Sequence, residues 1–519
     1  MTLSMIDRLL NLPIDMSANA IDAFNSRMTD WYRINGIRSH LSWDSQTIMP
    51  PKAAKGRGET MAWLAGQAHS IITAPEFAEL VGQLELIVSE LDEDTACNVH
   101  RMRREIDQAT KMPTALVEEI AATLSASRVV WREAREAKDF SMFAPTLQKV
   151  IELTKEKMHH LGGESANYDV LLDEFEIGMT MDDYDPLFAG LRQRLVPLLN
   201  RIIAAKQNKS ELRLPTEMNF PSTLQDKFCK QVSERMGFDY SAGRLDETVH
   251  PFCSGLAFGD TRITTRYHED DPFSCLYAVM HESGHGVYEQ GLLEQYRMSP
   301  RGNAISLGIH ESQSRLWENQ IGRTKAFWHV TLEQFREQFP SLPDELGPEE
   351  MNRIANGVEP SFIRVEADEI TYNLHIMLRY EIEKKIFEEG LAVEDIPAEW
   401  NALFSQWFGL EVPDDSLGCL QDVHWSMGAF GYFPTYTLGN LYAAQLIEKI
   451  ESDLGQLDKI IQSGDWSSIL NWLRTNIYQH GMKYDPSELI ERATGKPPSP
   501  EPFLNYVEQK YSDLYGLAN

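Results

Sequence analysis

Two histidines four residues apart, with a glutamate directly after the first, occur at His281-Glu282-Ser283-Gly284-His285. On an α-helix, positions i and i+4 share one face, so His281 and His285 can aim two imidazoles at one ion, a geometry suited to zinc. Glu282 projects beside them, where it can accept a proton from water at the metal. A catalytic zinc site takes three protein ligands and keeps one position open. The pattern H-x-x-G-x-x-H is excluded as the source of the third, because Tyr288 and Gly291 hold its glycine and second histidine positions. The other common source is a glutamate on a following helix. Glu311, within Ser306–Trp317, is such a residue; Glu289, four after His285, and Glu318 compete with it.

The elements that must carry these groups are legible nearby. Asp271-Pro272 reads as an N-cap carboxylate followed by proline at the first helical position. Leu276, Val279, Met280 and Val287 form an apolar stripe at helical spacing, and Gly291 is a stop signal. Gly284 and Gly286 each cost about 1 kcal/mol inside a helix, so the sequence predicts that something packs very close there. A loop over 292–302 lets a second helix bearing Glu311 return antiparallel.

Helical patterns fill the first part of the chain, over 18–40, 75–92, 95–110, 113–137, 140–162, 181–207 and 222–236. The charge-rich helix after Pro113 reads as a solvated face. Glu247–Phe252 and Thr261–Tyr267 are rich in β-branched and aromatic residues and read as short strands before the histidine helix. After residue 303 the pattern is helical again, with breaks near Pro340, Pro343, Pro397, Pro413, Pro434, Pro498 and Pro500. With no repeat, low-complexity tract or flexible linker, the expectation is a mostly α fold. It is one large helical unit, 1–519, with a small β-sheet near the active site. Its N-terminal helical part (about 1–245) and metal-site part (about 246–519) are not expected to separate.

Composition narrows the partners. The chain of 519 residues carries a formal charge of -30 and a pI near 4.9, which repels nucleic acid and anionic membrane alike. Cys97, Cys229, Cys253, Cys275 and Cys419 are few, odd in number and widely spaced. That argues against a disulfide framework and suits a reducing cytoplasm. The N-terminal Leu9, Leu10 and Leu12 form no long apolar core of a signal peptide, and no run of 18 apolar residues is present.

Six motifs occur in order: His250-Pro251-Phe252; Asp260-Thr261-Arg262-Ile263-Thr264; His281 to His285; His310-Glu311-Ser312-Gln313; Ile363-Arg364-Val365-Glu366-Ala367-Asp368; and Gly418-Cys419-Leu420-Gln421-Asp422-Val423-His424-Trp425. With Leu41-Ser42-Trp43-Asp44 and Met49-Pro50-Pro51 they make most of the chain resemble the carboxypeptidase Taq family of cytosolic metallocarboxypeptidases. The resemblance implies a zinc site of His281, His285 and Glu311, one ion per chain, with Glu282 as general base and acid. It also implies a homodimeric helical fold with a deep groove, similar to the neurolysin-like gluzincin group, and peptide substrates with a free C-terminal carboxylate. Cobalt or manganese could substitute, since His and carboxylate suit several divalent ions.

Peptide hydrolysis requires further groups. The developing oxyanion needs a donor, for which Tyr432, Tyr436 and His424 are the candidates. A carboxypeptidase must hold a carboxylate, and Arg364, in a matched motif, is the expected clamp, with Arg262 and Arg266 as alternatives. His250 either hydrogen-bonds substrate or caps the small sheet. Asp368 and Asp422 are candidate carboxylates for orienting a ligating histidine, and equally candidates for ordinary buried salt-bridge partners. Two other readings stand beside a carboxypeptidase: a zinc endo-oligopeptidase, and a non-catalytic peptide-binding scaffold with a vestigial site.

Overall fold

The computed structural model describes residues 14–206 and 212–517. Leu9, Leu10 and Leu12, and residue 207 at the end of one expected helix, lie outside the described residues. Helices α1 (Ile14–Gln46), α2 (Ala54–Ile72), α3 (Pro75–Glu85) and α4 (Glu93–Lys111) form the first layer. Then come α5 (Thr114–Ala137), α6 (Ala144–Gly162), α7 (Asp169–Phe175), α8 (Met181–Lys206) and α9 (Ser222–Met236). Phe24, Met28, Phe77, Val81, Val99 and Met102 form a small apolar cluster inside the first layer, while the main core draws on residues from Ala134 onward. The joint between them is polar. Asp94 accepts from Tyr296 Oη (2.5 Å) and Arg301 Nε (2.6 Å), and Arg101 Nε donates to the Met482 carbonyl (2.9 Å).

The sheet has the order β1-β3-β2, with β1 (Gly243–Glu247) parallel and β2 (Cys253–Ala257) antiparallel to β3 (Asp260–Thr265). The strand expected over Glu247–Phe252 is corrected. Residues 248–252 connect β1 to β2, because Pro251 has no N–H to give to a ladder. The strand expected over Thr261–Tyr267 is found, ending at Thr265.

Beyond the sheet, the Asp271 carboxylate caps α10 (Pro272–Gly291) by accepting from Phe273 N and Ser274 N. A second short helix, α11 (Leu307–Arg315), is capped by Ser306 Oγ on Ile309 N (3.1 Å) and runs on into a π-helical turn over Leu316–Gly322. The helices α12 (Lys325–Gln338), α13 (Pro348–Ala355), α14 (Glu369–Lys384) and α15 (Ile396–Phe408) follow. The long α16 (Pro434–Leu454) packs along α11. Four short helices close the chain: α17 (Leu457–Gln462), α18 (Ser467–Asn476), α19 (Pro486–Thr494) and α20 (Glu501–Tyr515). Among the described residues no helix is long and apolar enough to cross a membrane.

Candidate metal centre

Helices α10 and α11 approach closely where Gly284 faces the backbone of Gln313 and Ser314. A Cβ at Gly286 would press on Phe238 and Ile263, and one at Gly284 would meet the backbone of α11 itself. The close packing expected at both glycines is present. It brings His281 Nε2 and His285 Nε2 each to 3.4 Å from Glu311 Oε2. Among the described residues these three form the one group of donor atoms close enough to share an ion, all within 4.8 Å of one another. From the other side α16 seats Gly439 against Glu311, where a Cβ would lie 2.3 Å from the Glu311 Cγ.

Hydrogen bonds around the cluster fix which imidazole nitrogens are free. His281 Nδ1 lies 2.9 Å from Glu318 Oε2. Burial alone would push the Glu318 carboxyl up, but Arg315 and the His281 contact hold it near 2, so it is ionised and can only accept. His281 therefore keeps a proton on Nδ1 and presents Nε2 to the cluster. His285 reaches the same state by a longer route. Glu289 Oε1 accepts from His310 Nε2 (3.1 Å), which leaves His310 Nδ1 to accept from His285 Nδ1 (2.6 Å). Burial lowers the His285 pKa to about 4, against the pull of Glu311, so the ring is neutral. For His281, burial opposes the charged form, but Glu311 and Glu318 outweigh it and raise the pKa. Burial would likewise raise Glu311, yet Arg315 and the two imidazoles hold it well below the carboxylate range. Arg315 Nε donates to Glu311 Oε1 (2.7 Å) and Ser314 Oγ to Oε2 (2.9 Å). Two imidazole Nε2 atoms, of which a metal ion would displace any proton on His281, and an ionised carboxylate make a donor set that fits a divalent metal ion.

Glu282 is 6% exposed, and burial pushes its carboxyl up to about 7, with Glu311 and Glu318 adding and His281 opposing. The half-buried Cys253, at the start of β2, feels the Glu282 charge, so the sheet edge borders this carboxylate. Tyr372 of α14 links the metal cluster to Arg364. The Arg315 guanidinium stacks over its ring at 4.4 Å, and its hydroxyl accepts from Arg364 Nη1 at 3.1 Å. Arg364 also donates through Nε and Nη2 to Asp422 Oδ1 (3.1 and 2.7 Å), while Arg379 takes the other oxygen. The rings of Tyr432 and Tyr436 lie 5.3 Å apart, His424 Nε2 is 3.4 Å from Tyr436 Oη, and both tyrosines feel the Glu311 charge. Burial lowers His424 to about 4.

Other expected residues lie elsewhere. Arg262 makes a two-pronged pair with Asp260 (2.7 and 2.8 Å) and stacks on Trp43 at 4.3 Å, and Arg266 is exposed. His250 is exposed on the segment leading into β2. Of the two candidate orienting carboxylates, Asp368 instead caps α14 through Ile370 N and Thr371 N, while Asp422 takes the other role expected for it, a buried salt bridge, here with two arginines. Glu318 and Glu289, considered as ligands, do the orienting, and the His310 relay was not foreseen. Arg315 was missed too, although an arginine four residues after a glutamate on a helix is a readable pair.

The profile of the carboxypeptidase Taq (M32) metallopeptidase family matches residues 23–511. Thermostable carboxypeptidase 1 of Thermus thermophilus is 42% identical over 488 residues, covering 92% of this chain and 95% of that protein. Carboxypeptidase 1 of Bacillus subtilis is 39% identical over 477 residues, with 92% and 95% covered. The crystal structure of an M32 carboxypeptidase from Deinococcus radiodurans superposes with a TM-score of 0.92 at 37% identity, covering 96% of this chain and 100% of that one.

Proposed function

Because the chain belongs to the carboxypeptidase Taq (M32) family of metallopeptidases, we propose that it removes C-terminal residues from peptides with one zinc ion held by His281, His285 and Glu311, and with Glu282 as general base. The observation that carries this reading is the convergence of both Nε2 atoms on Glu311 Oε2, with the buried Glu282 carboxylate one residue from His281.

A zinc ion held by His281, His285 and Glu311 would supply Lewis acidity, for a scissile carbonyl and for water near neutral pH. The Glu282 carboxylate accepts the proton of the attacking water and passes it to the departing amine. Glu318 and the Glu289–His310 relay keep the two imidazoles turned and protonated on the far nitrogen. The hydroxyls of Tyr432 and Tyr436, with the neutral His424 ring beside them, supply donors for the oxyanion.

Arg364 holds the substrate carboxylate. Two guanidinium groups face the single Asp422 carboxylate, which leaves net positive charge in a buried wall. Three of the Arg364 N–H groups go to Asp422 and Tyr372, so others remain for substrate. The same reading includes a homodimer in the cytoplasm, which suits five cysteines that are all free thiols.

The deciding experiment compares one peptide with a free and with an amidated C-terminus, alongside elemental analysis. A fall of about 100-fold or more in kcat/KM on amidation is expected from losing a charge-assisted pair of bonds. Equal cleavage would move the reading to an endo-oligopeptidase. Cobalt or manganese added to the metal-free chain should restore activity, the donor set being shared by these ions.

A further inference from the structure

Helix α14 presents Arg379 and Glu383 four residues apart, hence on one face, and both are 0% exposed. Arg379 Nε donates to Asp422 Oδ2 at 2.7 Å. The Glu383 carboxylate accepts three hydrogen bonds: from Tyr168 Oη on Oε2 (2.5 Å), from Gly431 N on Oε2 (2.7 Å) and from Trp425 Nε1 on Oε1 (2.7 Å). One helix face therefore clips both ends of the segment 422–431. That segment carries His424 and leads directly into Tyr432, which lies near enough to Glu311 to feel its charge. Its far end cannot reseat easily. Gly431 has φ 86, and a Cβ there would stand 2.5 Å from the Leu171 carbonyl oxygen.

The three donors to Glu383 are all neutral, and burial pushes its carboxyl up to about 7. A carboxyl with no cationic partner in contact is a costly way to fill a core, and apolar residues of similar volume often serve stability as well or better. What the carboxyl supplies instead is geometry: three fixed donors from three chain segments meet on two oxygens.

We propose that Glu383 is a positioning residue for the hydrolytic reaction, holding Gly431 N–H and the Trp425 indole so that Tyr432 and His424 face the scissile carbonyl. The proposal rests on the reading of Tyr432 and His424 as oxyanion donors. In Glu383→Gln one amide oxygen can still serve Tyr168 and Gly431, but the amide nitrogen then faces the Trp425 N–H, donor against donor. The segment must shift, and a displacement of about 1 Å at a reacting group costs on the order of 100-fold in rate. Trp425→Phe added to this variant removes the opposing donor and keeps the aromatic packing.

The test measures kcat and KM, with metal content and Tm, in Glu383→Gln, Trp425→Phe, Tyr432→Phe, His424→Ala and the pairwise combinations. The expected result is a fall in kcat of about 100-fold in Glu383→Gln at unchanged KM and metal content. In Glu383→Gln/Trp425→Phe, kcat should return to within about tenfold of the parent, and Glu383→Gln should cause a smaller further loss in the Tyr432→Phe background than in the parent, because only His424 is then left to misplace. Trp425→Phe alone, losing one donor, should lose about tenfold in kcat, and it carries the test if Glu383→Gln does not fold. Parental kcat in folded Glu383→Gln or, where that fails to fold, in Trp425→Phe, alongside an impaired Tyr432→Phe, overturns this proposal alone. Full activity of both Tyr432→Phe and His424→Ala overturns the oxyanion reading and the proposal with it.

Discussion

Gly284 of α10 lies directly against Ser314 of α11: a Cβ at 284 would stand 2.6 Å from the Ser314 Cα and 2.5 Å from the Gln313 carbonyl oxygen. Gly284 sits between the two histidines, and Ser314 follows Glu311 by three. The spacing of the three donor atoms is thus set by backbone against backbone, where no flexible side chain can give way. Gly284→Ala must part the helices. We expect overpacking to cost about 1–3 kcal/mol of stability, and metal affinity to fall by at least about tenfold, as when a ligand's support is disturbed. Chelator competition on the folded variant measures this; a parental metal Kd would mean that the two backbones do not set the site.

Local rules carried the sequence a long way here. The cap at Asp271, the i, i+4 histidines and the crowded glycines are all properties of one helix, and each is found where its residue types place it. The helix over Ser222–Met236 has the bounds expected. What stayed hidden depends on contacts between elements. Asp368 and Asp422 read equally as histidine-orienting carboxylates or as salt-bridge partners in the sequence, and only the fold gives one a capping role and the other a double arginine pair. Glu318 does the orienting because the turn after α11 carries it back across α10 to His281, a distance that no periodicity reports. Arg262 shows the reverse. Its partner Asp260 is only two residues away, so its structural pairing was readable from the start.

Glu282 lies beside the proposed metal ligands without being one of the three converging donors. Glu282→Gln keeps shape and burial while removing the proton acceptor. The expected outcome is loss of about 100- to 10,000-fold in kcat with metal content retained. Elemental analysis and peptide turnover on one preparation check both halves, and normal hydrolysis by the metal-loaded variant would remove Glu282 from the mechanism.

The two histidines proposed as ligands are oriented differently, which separates two variants. Glu318 contacts His281 directly and also pairs with Arg315 and Arg323. Glu289 reaches His285 only through His310, and it pairs with Arg297. We expect Glu318→Ala to weaken metal binding by about 10- to 100-fold, and His310→Ala, which strands His285 Nδ1–H, to lie in the same range. Their double variant should fall further than either, since they act on different ligands. Metal Kd values from chelator competition decide; no change in both would show that the imidazoles keep their orientation unaided.

Glu176 anchors the start of the helix that bears Glu311. Fully buried, it accepts from Gly308 N at 2.9 Å and from Tyr442 Oη at 3.2 Å, with Ser306 also bonded to it. Burial dominates these bonds and raises its pKa from 4.5 to about 7. Between those two values the folded chain keeps a proton that the unfolded chain releases. The stability this group contributes is therefore fully present below pH 4.5 and is lost as pH rises through about 7. Glu176→Gln cannot ionise, so it lacks this dependence, while the other buried carboxyls are common to both proteins and cancel. Thermal melts of the metal-free parent and variant should show the variant gaining on the parent as pH rises from about 5 to about 8. A Tm difference that stays flat across that interval would mean that Glu176 is already ionised in the folded chain, held by its three donors against burial.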